Sequence, residues 1–354
     1  MVPRDAILLM PLPTNPEDNM RSFPNLLNTL VVALVVAAPS AFAGQSALPL
    51  EHVTDIALPG PVARFDYLSF EVSRRRLFVA NMGADRVLAI DVETGRVHII
   101  TDMPDVHGVL AVPSVGRVYA TVTARNQLVA IDIDTFKTMA TAPTGRYPDG
   151  IAFVPHPQTL YVSDKLGRSD TVIAGPTHRR IDTIELGGEV GNTQYDPVSR
   201  HVFVNVASNH ELVEIDPETR KVIARNRLEG ARGNHGLYIE PDQHLAFIAC
   251  EDNDRLIVLD LDTGKQTGLF PVGAGPDVLA FDRTLHLLYV ASESGVVSMF
   301  REQGKQLVKI GEDRLAPAAH SVAVNPLTHD VYFPLRDIDG HPLLRVMRPL
   351  PALR

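Results

Sequence analysis

Seven residues able to bind metal or move protons recur along this chain at nearly constant spacing: Asp66, His107, Asp149, Asn192, His235, Asp277 and His320, separated by 41, 42, 43, 43, 42 and 43 residues. Imidazole nitrogens and carboxylate oxygens are what divalent metal ions take, at roughly 2.0–2.2 Å for zinc. A carboxylate beside an imidazole also orients the ring and raises its basicity, which suits acid/base work. His107, His235 and His320 are therefore the candidates for metal ligation and for proton transfer. Asp66, Asp149, Asn192 and Asp277 are candidates for ligand binding. Arg64, Arg146 and Arg232 stand two or three residues before ring positions and could together grip a carboxylate or phosphate by bidentate contacts. Glu251 opens an oxygen-rich stretch with Asp252, Asn253 and Asp254; it lacks the glycine and terminal glutamate of an EF-hand loop and reads as a polar turn. Other loop candidates are Asp164, His210, Glu293, Asp337 and His341. No P-loop, Gly-x-Ser-x-Gly elbow, dinucleotide fingerprint or haem-attachment motif is present.

A second periodicity says what holds these residues. Phe78, Tyr119, Tyr161, Phe203, Phe247, Tyr289 and Tyr332 are spaced by 41, 42, 42, 44, 42 and 43 residues. Around each lies the same phrase: an alternating inner strand, a tight turn, the aromatic strand, a Leu/Val/Ile-rich third strand ending in Asp, and a more polar fourth. A 40–45-residue all-β repeat is a propeller blade. The expected fold is all-β: a seven-bladed β-propeller of four-stranded blades over residues 51–349, with 350–354 a short tail. The unpaired stretch from His52 to Leu58 supplies a strand that closes the ring by pairing with the last blade, so that no edge stays exposed. In this geometry the start of each inner strand and the loop between strands two and three share one face, the channel mouth, where a ligand is expected.

Bulk composition narrows the partners. Among 354 residues the formal net charge is −9, and no basic cluster is large enough for nucleic acid. Arg74, Arg75 and Arg76 fall in a hairpin turn and read as solvated. Residues 1–19 read as an over-long start. Met20-Arg21, the apolar stretch 26–38 and Ala41-Phe42-Ala43 then fit a secretory signal cleaved after Ala43, with 44–50 a linker. The expectation is a periplasmic or secreted monomer with no transmembrane segment after cleavage. Cys250, the lone cysteine, can close no internal disulfide and reads as a buried, inert thiol.

Tyr161-Val162-Ser163-Asp164 and the Ile90-to-Val97 phrase (Ile-Asp-x-x-Thr-Gly-Arg-Val) resemble the YVTN repeat of bacterial propellers, and Phe65-Asp66-Tyr67-Leu68, Val106-His107-Gly108-Val109 and Val204-Asn205 resemble phrases common in the YncE-like family. The resemblance covers about 300 residues. It implies a seven-bladed, usually exported ring and carries no activity. Without any Trp, the WD40 signature is absent. Three functions remain open: a binding module that recognises a small ligand, metal or protein at the mouth, a metal-assisted lactonase or lyase that uses the His/Asp ring, or an accessory subunit of an exported redox system whose partners carry the electrons. A divalent metal ion is the only cofactor the residues suggest.

Overall fold

The strands of residues 47–354, which a computed structural model describes, fall into seven antiparallel sheets of four strands each. The expected signal segment, residues 1–43, and residues 44–46 of the linker lie outside the described residues. Blade 2 shows the pattern: Val106–Val112 lines the channel, and Arg117–Val122, Gln127–Asp132 and Thr138–Pro143 follow outward by hairpins. Such short, β-branched, alternating strands suit a pleated surface covered on both faces. The seventh blade is composite. Its inner strands Ala323–Val324, Val331–Ile338 and His341–Pro349 are completed by Leu50–Ala57, antiparallel with Leu50 opposite Pro349 and Ala57 opposite Leu343. This is the closure that the unpaired N-terminal stretch predicts, and an Asp55–Arg345 ion pair at 2.8 Å spans it.

Seven apolar clusters hold the ring, and each straddles two blades. Phe78 packs with Val118 and Ala120 of the next blade, Tyr119 with Leu160 and Val162, and Tyr161 with Val202 and Val204. Phe203 meets Leu237 and Ile248, Phe247 meets Leu288 and Val290, and Tyr289 meets Val331 and Phe333. Tyr332 completes the circle against Leu77 and Val79 of blade 1. The aromatic that marks the repeat is thus the wedge between neighbouring blades. Each such ring buries enough apolar surface to contribute about 2–3 kcal/mol.

The turns between first and second strands close the face opposite the mouth. Carboxylates cap them: Glu71 accepts from the backbone N–H of Arg74 at 2.7 Å, Asp196 from Ser199 at 2.8 Å and Glu240 from Gln243 at 2.6 Å. Arg74 and Arg76 are not simply solvated. Arg74 bonds Asp134 at 2.6 Å, and Arg76 bonds the Ile133 carbonyl at 2.8 Å and lies over Phe136, so both lock blade 1 to blade 2. Cys250 is buried, and burial pushes its thiol up to about 12. Among the described residues no helix is long and apolar enough to cross a membrane.

Candidate functional site

The ring residues sit where the inner strands break their pairing. In blades 2 to 6 the register shifts between Val106 and Val109, Pro148 and Ile151, Val190 and Thr193, Asn234 and Leu237, and Pro276 and Val278. His107, Asp149, Asn192, His235 and Asp277 occupy these bulges; Asp66 and His320 precede the inner strands of blades 1 and 7. A bulge re-aims a side chain and leaves backbone groups unpaired. Polar residues two positions after the aromatic satisfy them. Thr121 Oγ1 accepts from Gly108 N–H at 2.7 Å and donates to the Asp149 carbonyl at 2.8 Å. Ser163 accepts from Gly150 N–H at 2.8 Å, and Asn205 donates to the carbonyls of His235 and Gly236 at 3.0 and 3.1 Å. Successive inner strands approach so closely that a Cβ on Gly236 would stand 1.9 Å from the Asp277 carbonyl oxygen. Only glycine fits there.

All seven ring residues are buried, none more than 7% exposed. Five of them, Asp66, His107, Asp149, His235 and Asp277, line one mouth cavity of about 200 Å³, together with Arg64, Tyr67, Tyr147, Lys165, Glu251 and Glu293. Asn192 faces a second chamber of about 410 Å³ on the other side of Tyr67. His320 lies at the margin, with Nδ1 3.0 Å from the Ala318 carbonyl and 3.6 Å from Glu293.

The three histidines do not share one site. His235 Nε2 is the hub: Asp149 Oδ2 lies 3.5 Å away, Glu251 Oε1 3.8 Å and Asp277 Oδ1 3.9 Å. His107 Nε2 instead meets the Tyr147 hydroxyl at 3.0 Å, with Asp66 at 4.0 Å. Two ligand sets have donor atoms within 4.8 Å of one another, His235–Glu251–Asp277 and Asp66–Asp277–His320, and Asp277 belongs to both. The three arginines do not converge either. Arg64 reaches the mouth, where it pairs with Glu293 at 3.1 Å, whereas Arg146 and Arg232 are exposed and outside the cavity lining.

The electrostatics favour a cation. The cavity gathers five carboxylates against Arg64 and Lys165. Burial, then the charges of Asp277 and Asp149, raise the Asp66 carboxyl well above the usual range. Burial also raises Glu251, against the pull of His235 and with the Asp277 charge adding. Burial would lower the Lys165 ammonium, but Asp149 and Glu251 outweigh it and raise it. Asp149 Oδ1, Asp277 Oδ1 and His320 Nε2 have no hydrogen-bond partner. Buried polar atoms in this state are open to a partner, whether solvent or ligand.

Tyr67, Tyr147 and Lys165 were not among the residues the spacing singled out. Tyr67 had a signal: it follows ring position Asp66, where blades 2, 3 and 5 carry Gly108, Gly150 and Gly236. An aromatic in a glycine position has to fill the axis. Its hydroxyl lies 3.2 Å from His235 Nε2 and accepts from Asn192 Nδ2 at 2.6 Å, so it crosses the channel from blade 1 to blades 4 and 5.

Comparison with known proteins adds a fold and a local likeness. No family model matches the chain. An uncharacterized protein YncE from Salmonella typhi, and that of Salmonella typhimurium, are 31% identical over 101 residues, 28% of this chain and 29% of theirs. The match thus spans less than a third of those relatives' length. A streptogramin B lyase structure superposes with a TM-score of 0.69 at 11% identity, covering 83% of this chain and 96% of that one. A virginiamycin B lyase from Staphylococcus aureus gives 0.68 at 12% identity, covering 83% and 98%. Kuenenia stuttgartiensis hydrazine synthase gives 0.70 at 14% identity, covering 84% and 97%. At such identities the likeness is one of fold: a propeller module whose chemistry has to be argued from its own mouth.

Proposed function

We propose that this chain is an exported propeller that acts as a binding module and captures a small, positively charged ligand at its mouth. One observation carries the reading: five carboxylates converge on a buried cavity where Arg64 and Lys165 are the only permanent cations and Arg64 is already paired with Glu293. A volume of about 200 Å³ suits a metal ion or a small ammonium compound and is below the usual range for drug-sized ligands. The exposed positions of Arg146 and Arg232 argue against an anion held by three arginines. Export, to the periplasm or beyond, rests on the cleavage pattern at Ala41-Phe42-Ala43.

Thermal-shift screening of small ammonium compounds and divalent cations against size-matched carboxylates tests this. Cations are expected to raise Tm in the native chain and not in Asp277→Asn. Stabilisation by anions alone would overturn it. A second reading, a metal-assisted lactonase or lyase, is supported by the placing of Asp66 4.0 Å from His107, where burial raises its carboxyl and suits it to exchange a proton. In that reading His107, His235 and His320 serve as acid/base groups. Lactone-opening or elimination activity lost in both Asp66→Asn and His107→Ala would favour it; a screen with no turnover leaves the binding module.

A further inference from the structure

We propose that His235, Glu251 and Asp277 form a divalent-cation site whose filling displaces Tyr67 and joins the two chambers of the channel. The inference rests on the reading of the mouth as a cation site and names its ligand class and its consequence. Two ligands bound to one ion by bonds of about 2.1 Å can be at most about 4.2 Å apart. His235 Nε2 is 3.8 Å from Glu251 Oε1 and 3.9 Å from Asp277 Oδ1, within that span. A closure of a few tenths of an ångström brings the set toward tetrahedral spacing. Asp277 is 5% exposed and its Oδ1 makes no hydrogen bond, so a buried acceptor points into the site without a partner. Asp149 Oδ2, 3.5 Å from the same nitrogen, is placed to join as a fourth ligand. One imidazole with two or three carboxylates suits zinc, manganese or ferrous iron rather than calcium.

The coupling follows from one atom. His235 Nε2 now faces the Tyr67 hydroxyl at 3.2 Å. A single ring nitrogen cannot serve both that hydroxyl and an ion. Tyr67 is also the one residue common to the linings of the two chambers. An ion at His235 therefore unlatches the partition, leaving Asn192 as its remaining hydrogen-bond partner. The half-buried phenol has the 410 Å³ chamber beneath it to swing into.

The test titrates the chelator-stripped full chain with Zn2+ and with Mn2+, following heat and tyrosine difference absorbance. One ion is expected per chain. Glu251→Gln, a near-isosteric change at a half-buried position, should weaken binding at least tenfold with the circular dichroism and Tm of the apo protein unchanged. Tyr67→Phe should bind several-fold tighter, because no phenol contact has to break, and should lose most of the absorbance change. Binding that survives Glu251→Gln, that is lost in Asp66→Asn instead, or that is indifferent to Tyr67→Phe would overturn the assignment. Ammonium compounds that raise Tm while neither metal binds would sink this inference and leave the cation-binding mouth standing; stabilisation by neither class would remove both.

Discussion

At the turn end of the ring Asp196 accepts hydrogen bonds from the N–H groups of Val198 and Ser199 at 3.0 and 2.8 Å and from the Ser199 hydroxyl at 2.6 Å; at the mouth Asp66 lies among other carboxylates. Both residues are at least 96% buried. Burial alone would raise Asp196, but the Ser199, Val198 and His244 hydrogen bonds outweigh it and bring the carboxyl below the usual range. No such donors offset burial at Asp66, and neighbouring charges push it further up. Burial therefore does not separate the turn carboxylates from those of the mouth. What separates them is whether the backbone supplies donors. One end of the channel uses its acids to close hairpins, and the other gathers them around a cavity, where Asp149 Oδ1 and Asp277 Oδ1 have no donor.

The largest effect should come from disturbing what aims the mouth. Gly236→Ala drives a methyl group into the Asp277 carbonyl oxygen. It should cost at least about 3 kcal/mol by overpacking and displace His235 from its carboxylates. Chemical denaturation checks this; a near-native midpoint would mean that inner strands can separate without loss. Asp196→Ala comes next. It strands two turn N–H groups and His244, and should cost about 2–3 kcal/mol at neutral pH. Since its folded value is depressed, that contribution is present above the unfolded value of about 4 and fades as pH falls below it. An equal loss at pH 3 and pH 7 would contradict the capping role.

Both residues show how far the sequence could be read. The aromatic period gave the number of blades because each Phe or Tyr wedges one interface, and seven interfaces need seven wedges. The polar period located the bulges for the same reason: a position repeated in every module keeps its place relative to the axis. Residues that do not repeat escaped. Lys165 comes from a loop between strands two and three, whose course the period does not set; Glu293, from another such loop, could be named only as a loop candidate. Arg146 and Arg232 precede ring positions in sequence yet point to solvent, because proximity along the chain says nothing about side-chain direction once the inner strand bulges. The histidines share a period, but blades 2, 5 and 7 are not adjacent, so their imidazoles serve different neighbours.

Asp170 sharpens the contrast with the opposite sign. It lies in blade 3 with neither oxygen hydrogen-bonded in good geometry, although Thr193 stands beside it. Burial, then the Asp164 charge, raises it to about 8. Its folded value exceeds the unfolded one of about 4, so the native chain binds the proton more tightly than the unfolded chain and loses stability as pH rises from about 4 to about 8. Asp170→Asn should remove that slope. The variant is expected to melt several degrees above the native protein at pH 8 and to converge with it near pH 4. A variant less stable at both values would mean that the carboxyl has a partner worth keeping.

The smallest effect isolates exposure from role. Asp132 caps a turn as Asp196 does, accepting from the Thr135 N–H and hydroxyl, each at 2.9 Å, and these bonds, first the backbone one, lower its carboxyl. Its side chain is 26% exposed, so water can take over the turn N–H groups when the carboxylate is removed. Asp132→Ala should therefore lower Tm clearly less than Asp196→Ala measured alongside it. If the two losses were equal, the donors alone would account for the stabilisation and burial would add nothing. A smaller loss at Asp132 means that a capping carboxylate matters in proportion to how completely its donors are cut off from water, the same isolation that at the mouth leaves Asp277 Oδ1 without a hydrogen-bond partner.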